Sequence, residues 1–210
     1  MHFPLSLQTF TIGHFEQELF VPDPQSVKKN YEHRKGASYW AKVWPAALGL
    51  CHFLAEHPDY ISGKTVLELA AGLGLPGIFA ARYATHVTIT DRDVDSIDIV
   101  QQSAQHLRLE NVSARALDWK DINTAPSHEV LLLSDVNYEP AQFESLHKIM
   151  REALQRGTLI LLSSPQRLVA RQFLVRLLPF SVHQKNYSIN TVSEQAEVGV
   201  FVLKNRSASI

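Results

Sequence analysis

After Lys64, short and mainly apolar segments alternate with segments of mixed polarity. The short segments are predicted to be strands, and they are TVLELA, HVTIT, VSARAL, EVLLLS and TLILLS at 65–70, 86–90, 112–117, 129–134 and 158–163. Two of them contain uninterrupted apolar runs, Val130 to Leu133 and Leu159 to Leu162. Such runs are typical of parallel strands that are buried on both faces.

Between these strands, apolar residues recur at helical spacing. The first stripe is Val94, Ile97, Val100, Ala104 and Leu107, the second is Phe143, Leu146, Met150 and Ala153, and the third is Val169, Phe173 and Leu177. Each stripe is the predicted buried face of an amphipathic helix. Alternation of strands and helices with short connections predicts a doubly wound, Rossmann-like α/β fold with a mostly parallel sheet.

Both ends of the chain carry paired strand patterns. LSLQTFTI and FEQELFVP, at 5–12 and 15–22, alternate apolar and polar residues and predict a short N-terminal β-hairpin. SVHQKNYSI and EVGVFVLK, at 181–189 and 197–204, follow one another without a helix. We expect them to form an antiparallel hairpin at the sheet edge, which brings the sheet to seven strands.

Length and composition fit one domain. The 210 residues are 45% hydrophobic and show no repeat or composition shift, so they can bury one substantial core. We assign residues 1–210 to a single domain, with an N-terminal extension at 1–38 and the Rossmann-like core at 39–210. A polar stretch from 23 to 38 precedes the core, which opens with a helix that has Pro45 in its first turn and ends near His57.

Charge and cysteine content exclude several classes of function. Twenty basic and twenty-one acidic residues give a formal net charge of -1, so no general attraction to nucleic acid or to an anionic membrane is expected. The single cysteine, Cys51, excludes an intramolecular disulfide and a multi-cysteine metal cluster, and it favours a reducing compartment. No signal peptide or membrane span is apparent. We expect a cytoplasmic protein with no metal site, since the histidines are scattered.

Polar residues follow the predicted strands at the edge where ligands bind in such folds. The first strand is followed by Glu68 and a glycine loop, the second by Asp91, and the third by Asp118 and Trp119. The fourth strand is followed by Ser134, Asp135 and Tyr138. Because the carboxyl ends of parallel strands share one edge, we expect these residues to lie together.

The loop contains Gly72, Gly74 and Gly77 in the spacing G-x-G-x-x-G, which occurs in dinucleotide sites and also in plain structural turns. In a dinucleotide site the pyrophosphate lies on the helix N-terminus. The carboxylate of Glu68 would repel a pyrophosphate, whereas it would tolerate the sulfonium and ammonium groups of S-adenosylmethionine. Glu68 therefore favours S-adenosylmethionine.

The other polar residues suit the adenosine part of either ligand. Asp91 lies nineteen residues after Gly72 and is placed to accept the ribose hydroxyls. Asp118 can accept the exocyclic amine of adenine while Trp119 packs against the ring. A core tryptophan beside a solvated aspartate is the structural alternative for this pair.

The segments VWPAALGLCHFL, VLELAAGLGLPG, VTITD, LDW and SDVNY occur in this order from about Val43 to Arg167. They resemble the seven-β-strand class I S-adenosylmethionine-dependent methyltransferases, and among these the lysine methyltransferase-like branch with a D-x-x-Y motif. The resemblance implies methyl transfer from S-adenosylmethionine, with S-adenosylhomocysteine as product, to a protein lysine. The residues at 28–36, in the region where substrate selection is expected, match no assigned pattern.

The resemblance also implies roles for individual residues. It places Trp44, Ala70, Ala71, Gly72, Asp91, Trp119 and Ser134 at the cofactor. Together with Glu68, Gly74 and Asp118, which the spacing above indicates, they form the predicted cofactor site. Asp135 and Tyr138 would lie where substrate meets the methyl group, and Arg167 would be on the substrate side. The loop opens with Ala70 where many relatives have glycine, a change that a slightly shifted backbone can absorb.

Methyl transfer from a sulfonium requires mainly that nucleophile and methyl carbon be aligned. Our hypothesis is that Asp135 captures and orients the incoming ammonium and that Tyr138 forms a wall of the channel. In the structural alternative, Asp135 caps a helix that starts near Pro140. Three other functions stay open at this point: methylation of a small molecule or another nitrogen, an NAD-dependent oxidoreductase, and a non-catalytic module that binds S-adenosylmethionine.

Overall fold

The computed structural model describes residues 3–32, 39–191 and 194–205. Its main sheet has seven strands, β3 Thr65–Leu69, β4 His86–Asp91, β5 Val112–Ala116, β6 Val130–Ser134, β7 Leu159–Pro165, β8 Ser181–Asn190 and β9 Gln195–Leu203. Their order is β5-β4-β3-β6-β7-β9-β8. The strands β3 to β7 are parallel to one another, and β9 is antiparallel to both β7 and β8. The predicted mixed sheet with a C-terminal hairpin at its edge is confirmed.

Helices cover both faces of this sheet. The helices are α1 Pro24–Glu32, α2 Pro45–Glu56, α3 Leu75–Ala80, α4 Val94–His106, α5 Phe143–Gln155 and α6 Leu168–Val175. On β6, Val130 and Leu132 belong to the core cluster with α2, α3 and α4, whereas Leu131 and Leu133 belong to the cluster with α5 and α6. All four are completely buried, which explains the uninterrupted apolar run.

The N-terminal hairpin forms a separate two-stranded antiparallel sheet of β1 Leu5–Ile12 and β2 Phe15–Pro22. Ile12 and Leu19 are fully buried and share a core cluster with residues of α2. The backbone N–H of Phe20 donates to Ser103 Oγ on α4 at 3.1 Å. The hairpin therefore packs against the helices on one side of the main sheet.

Helix α1 lies where the sequence suggested only a polar stretch. Its start has the local signals of a helix N-terminus, because the Asp23 carboxylate accepts from the N–H of Ser26 at 2.7 Å and Pro24 is the first helical residue. Val27 is buried, 1% exposed. The low apolar content of this segment hid a short helix. Residues 33–36 of the unassigned segment 28–36 lie outside the described residues.

Helix α2 begins at Pro45 and ends at Glu56, as predicted. Cys51 is completely buried in its middle, and burial raises the pKa of its thiol well above the ordinary value. The thiol therefore packs as a small apolar group. Trp44 immediately precedes α2 and lies beside the carboxyl edge of the sheet.

The strand order reverses at β3, because β4 and β5 lie on one side of it and β6 and β7 on the other. In open α/β sheets, the crevice at such a reversal is the place where ligands bind. The carboxyl ends of β3, β4 and β6 therefore define where the site should lie.

Candidate active site

A cavity of about 360 Å³ opens at the carboxyl ends of β3, β4 and β6. Most of the residues predicted from the sequence line it, namely Trp44, Ala70, Ala71, Gly72, Gly74, Asp91, Asp118, Trp119, Ser134, Asp135, Tyr138 and Arg167. Glu68 is not part of this lining. The structure thus brings together residues that are up to 123 positions apart in the chain.

The loop from Ala70 to Gly74 forms the floor of the cavity. Gly72 and Gly74 have left-handed φ angles of 55° and 71°, and Ala70 has one of 52°. Ala70 thus has a backbone conformation that favours glycine. A Cβ on Gly72 would lie 3.2 Å from the carbonyl oxygen of Trp40. The absence of a side chain at Gly72 is what lets the loop pass this close to the preceding segment.

Asp91 holds the loop and faces the cavity. Its Oδ2 accepts from the N–H of Gly72 and its Oδ1 from the N–H of Asp93, both at 2.9 Å. The residue is 7% exposed, and burial raises its pKa, opposed by these two hydrogen bonds. A carboxylate offers about four acceptor positions, so Asp91 can accept two further hydroxyl groups. These free acceptor positions fit the ribose hydroxyls of the expected cofactor.

Glu68 lies beneath the loop. It is completely buried, and its Oε2 accepts from the N–H of Gly77 at 2.9 Å. Burial raises the pKa of Glu68 to about 8, so at neutral pH the carboxyl group is mostly protonated. Glu68 is therefore not the charged group beside the ligand that the sequence predicts, since its side chain supports the loop from below and is mostly neutral.

Asp118 and Trp119 line the cavity beyond Asp91. The Asp118 carboxylate accepts from the N–H of Lys120 at 3.0 Å and caps the 3-10 helix Trp119–Thr124. Trp119 is partly buried and packs against the core cluster that contains Leu117 and Ile122. The indole thus contributes to the core with one part and to the cavity wall with another. An adenine ring could be held between these two residues.

Asp135 lies on the opposite side of the cavity and is paired with Arg167. The guanidinium donates two parallel hydrogen bonds, Nη1 to Oδ1 and Nη2 to Oδ2, each 3.0 Å long. The side chain of Asp135 is 9% exposed. Burial raises the pKa of this carboxyl, and the charge of Arg167 opposes the rise. Such a fork is the strongest arrangement of an ion pair and fixes the orientation of the carboxylate.

The helix-cap interpretation of Asp135 is wrong. The 3-10 helix that begins at Pro140 and the helix α5 that begins at Phe143 have no side-chain cap.

Tyr138 is 40% exposed and contacts the ring of Tyr39 edge to face, with centroids 5.5 Å apart. These two tyrosines form an aromatic rim at the mouth of the cavity.

Lys42 and Glu194 were not anticipated. The Nζ of Lys42 lies 2.9 Å from Glu194 Oε1 and 3.7 Å from the centroid of the Trp44 ring. The indole N–H of Trp44 donates to the carbonyl of Tyr39 at 2.7 Å, which fixes the ring. Lys42 stands two residues before Trp44 in the sequence, but nothing in the sequence connects it with Glu194, which is 152 residues away.

Trp40 borders the same cavity. Trp40 is 6% exposed and packs edge to face on Phe3, with centroids 5.9 Å apart, so it is mainly a core residue.

Within residues 3–32, 39–191 and 194–205, no group of three or more His, Cys, Asp or Glu is placed to bind a metal. In the same residues no helix has the length and apolarity that crossing a membrane requires.

Residues 25–179 match a family model described as lysine methyltransferase. The mouse EEF1A lysine methyltransferase 3 is 30% identical over 215 residues, which cover 99% of this chain and 90% of that protein. The mouse histone-arginine methyltransferase METTL23 is 40% identical over 114 residues, 51% of this chain and 45% of that protein. The chain therefore spans about half the length of this second relative.

A solved structure shows the same fold. The 16S rRNA N2 G1207 methyltransferase RsmC of T. thermophilus, in complex with AdoMet and guanosine, superimposes with a TM-score of 0.64. Its sequence is 18% identical, and the match covers 96% of this chain and 51% of that one. At this identity the likeness concerns the architecture alone.

Proposed function

The chain belongs to the lysine methyltransferase family, and on that premise we propose that it transfers methyl groups from S-adenosylmethionine to lysine side chains of a protein. One observation carries the proposal. The ribose-type acceptor Asp91 and the paired Asp135 line the same cavity, at the strand reversal where a ligand is expected. A donor bound through Asp91 and an acceptor guided by Asp135 would thus meet in one space.

The residues present fit the cofactor. Asp91 would accept the ribose hydroxyls, and Asp118 with Trp119 would hold adenine. Gly72 and Gly74 allow the backbone to approach the bound molecule, because neither carries a Cβ.

The remaining lining residues would enclose the methionine part of the cofactor. Trp44 precedes α2, Ala70 and Ala71 belong to the loop, and Ser134 ends β6; all four border the cavity. They present an aromatic ring, two methyl groups and one hydroxyl, so this part of the wall is largely apolar.

When bound, S-adenosylmethionine supplies a methyl group activated by its sulfonium. The protein must then hold the acceptor nitrogen in line with the methyl carbon, at about 3 to 3.5 Å. A lysine ammonium must also lose a proton, which leaves to water. A substrate that covers the exposed rim of Tyr39 and Tyr138 would desolvate the amine and so aid this loss, because a desolvated environment lowers the pKa of an amine.

Asp135 would orient the incoming nitrogen. Arg167 occupies two of its acceptor positions, and the remaining lone pairs can accept from a substrate ammonium. Because Arg167 neutralises Asp135, this carboxylate would orient the amine with less tendency to keep it charged than an unpaired carboxylate would. The Asp135–Arg167 ion pair would thus allow the site to bind a lysine ammonium and still let it lose its proton.

The proposal is tested by ligand binding and by methyl transfer. A ligand at about 100 times its Kd adds roughly 2.7 kcal/mol of stability, so S-adenosylhomocysteine should raise the Tm and NAD should not. Radiolabelled methyl transfer into a proteome extract, with and without protease treatment, then identifies a protein acceptor. If the label is found in a small molecule and is unaffected by protease, the acceptor is not a protein and the proposal is contradicted. Binding of S-adenosylhomocysteine without any methyl transfer would indicate a non-catalytic module.

Arginine is the second candidate acceptor. It is supported by the 40% identity to a protein named as a histone-arginine methyltransferase. Complete hydrolysis of the labelled proteins and separation of the amino acids distinguishes the two, since lysine transfer yields methyllysines and arginine transfer yields methylarginines.

We also propose a cytoplasmic location. It is supported by the single cysteine of the sequence and by the burial of Cys51, both of which suit a reducing compartment. Cell fractionation with an antibody against the protein tests it, and recovery in a secreted or membrane fraction would contradict it.

A further inference from the structure

Lys42 presents its amine to the wall of the candidate active site. Its side chain lines the same cavity as Asp135 and Tyr138. The Nζ lies 3.7 Å from the centroid of the Trp44 ring and 2.9 Å from Glu194 Oε1. The side chain is 43% exposed, so the amine is held in place and is still reachable.

The two contacts of Lys42 bind and position an ammonium, which is the first thing that an acceptor lysine requires. An aromatic face attracts an ammonium within about 6 Å of the ring centroid, and a carboxylate fixes its position. Trp44 provides the aromatic face and itself borders the cavity. From these contacts we infer that Lys42 is a site of self-methylation, modified by the cavity of its own molecule. This inference rests on the proposed methyltransferase function.

A second lysine, Lys120, also borders the cavity, but at the other end. Lys120 follows Trp119, where the adenine ring is expected. Lys42 instead lies near Asp135, on whose carboxyl its charge acts, opposing the rise in pKa that burial causes. Position therefore singles out Lys42 as the internal acceptor.

The transfer is balanced without a further reactant. The ammonium of Lys42 loses one proton to water, and the nitrogen lone pair attacks the methyl carbon of S-adenosylmethionine. The N–C bond forms as the C–S bond breaks, and the electron pair leaves with sulfur, which becomes the neutral thioether of S-adenosylhomocysteine. The methylated amine carries the positive charge afterwards, so it keeps its attraction to Trp44 and Glu194. The four-carbon stem of lysine supplies the rotation needed to reach the methyl group.

Peptide mapping by mass spectrometry tests the inference on the full chain. After incubation of the purified protein with S-adenosylmethionine, we expect methyl increments on the peptide that contains Lys42. The variant Lys42→Arg should lose this label, whereas the matched variant Lys120→Arg should retain it. The rate per molecule should not change on dilution, because the acceptor lies in the cavity of its own molecule.

The failures of the two proposals are distinguishable. If proteins of an extract are methylated and Lys42 stays unmodified, self-methylation is overturned and the proposed function stands. If S-adenosylhomocysteine binds but neither an extract protein nor Lys42 is methylated, both are overturned. Methylation of another lysine in place of Lys42, or a rate per molecule that falls on dilution, also overturns the inference.

Chemical labelling gives a readout that does not depend on methyl transfer. An amine-reactive acylating reagent should modify Lys42 several-fold more slowly when S-adenosylhomocysteine is bound, because the product would fill the cavity beside the amine. Lys64 is the internal control, since it lies at the opposite edge of the sheet, just before β3, where it donates to the carbonyl of Tyr60 at 2.9 Å. An unchanged or increased rate at Lys42 would show that the amine does not lie beside the bound product, and would overturn the inference.

Discussion

The buried carboxyl group of Glu68 accepts a hydrogen bond from the backbone N–H of Gly77, with 2.9 Å between Oε2 and N. Glu68 lies in β3 and Gly77 in α3, so this single bond connects the strand and the helix on either side of the cofactor loop. The other oxygen, Oε1, is buried and has no hydrogen-bond partner in the part of the chain that the structure describes. A mostly protonated acid is the form of this side chain that the site accommodates.

The titration of Glu68 should make the folded state less stable as the pH rises. Its pKa is about 8 in the folded protein and ordinarily 4.5, so between these values the unfolded chain has released its proton and the folded chain has not. The contribution of Glu68 to the free energy of unfolding should therefore fall from about pH 5 to pH 8, by an amount on the order of 4 kcal/mol, and then level off. The lowered pKa values of His52, His57, His128 and His147 act in the opposite direction below pH 7, so the contribution is measured as the difference between the unmodified protein and Glu68→Gln in urea denaturation at a series of pH values.

Glu68→Gln should remove this contribution, because an amide has the shape of the protonated acid and does not titrate. Its stability relative to the unmodified protein should therefore rise between pH 5 and pH 8. Glu129→Gln is the control, since Glu129 is an exposed carboxylate whose hydrogen bonds to Thr65 lower its pKa, and its stability relative to the unmodified protein should stay constant over this range. A constant difference for Glu68→Gln would show that Glu68 does not titrate in this way.

Gly77→Ala should destabilise the protein by about 2 kcal/mol through overpacking. A Cβ at this position would lie 2.5 Å from Glu68 Oε2 and 2.6 Å from Ile89 Cγ1, so it would displace the carboxyl that holds the helix. The result is measured as the change in free energy of unfolding in urea.

Gly63→Ala is the comparison variant, with backbone strain and no clash, whereas Gly77 lies in a helix and would meet the clash without that strain. Gly63 has a φ of +70° and nothing within 4 Å of an added Cβ, so the control pays only the left-handed strain of roughly 1 kcal/mol. A Gly77→Ala variant that is no less stable than the unmodified protein would mean that the loop packs less tightly than the structure indicates.

Asp91→Asn should weaken cofactor binding. The amide keeps one acceptor oxygen and replaces the other with an NH₂ group, which is a donor. The NH₂ group can accept neither from a backbone N–H nor from a ribose hydroxyl. Loss of a charged hydrogen bond is worth about 1.5 to 3 kcal/mol, so titration calorimetry with S-adenosylhomocysteine should show a Kd roughly 10 to 100 times higher. Glu56→Gln, a change at the far end of α2, should leave the Kd unchanged, and an unaltered Kd for Asp91→Asn would exclude Asp91 as a cofactor ligand.

Asp135→Asn should reduce methyl transfer and leave cofactor binding nearly intact. The amide cannot form the double hydrogen bond with Arg167, and misplacement of a reacting group by about 1 Å can lower the rate about 100-fold. Turnover with a fixed protein extract measures the loss, and the Kd for S-adenosylhomocysteine should stay within a few-fold. Unchanged turnover would remove Asp135 from the mechanism.

Arg167→Lys tests whether the fork itself matters. Lysine keeps the positive charge but makes only a point contact with the carboxylate. We expect an activity between those of the unmodified protein and Asp135→Asn, with a raised KM for the protein substrate. Full activity of Arg167→Lys would show that neutralisation of Asp135 by charge is sufficient.

The strands of the fold were predictable because their signals are local. β6 and β7 carry continuous apolar runs, and the two hairpins have an alternation that a short window of sequence reveals. Helix α1 escaped prediction, since its sequence is mainly polar and Val27 is the deeply buried side chain among those described at 24–30. Its cap at Asp23 was nevertheless present in the sequence as a local signal.

The candidate site was predictable where residues directly follow strands. The positions of Asp91, Trp119 and Asp135 at one edge follow from the parallel arrangement of β4, β5 and β6. The partner of Asp135 was not predictable, since Arg167 was expected only somewhere on the substrate side. The pairing of Lys42 with Glu194 had no signal at all.

The order and periodicity of apolar residues, which act over a few neighbouring positions, determined the sheet, its covering helices and the edge where polar residues collect. The tertiary structure decided which charges pair and whether a carboxyl group is ionised. These properties depend on the distance between residues that are remote in the chain and on how completely each group is removed from water. Glu68 shows the difference: its place at the end of β3 could be read from the sequence, whereas its burial, its bond to Gly77 and its raised pKa exist only once the helices have closed over it.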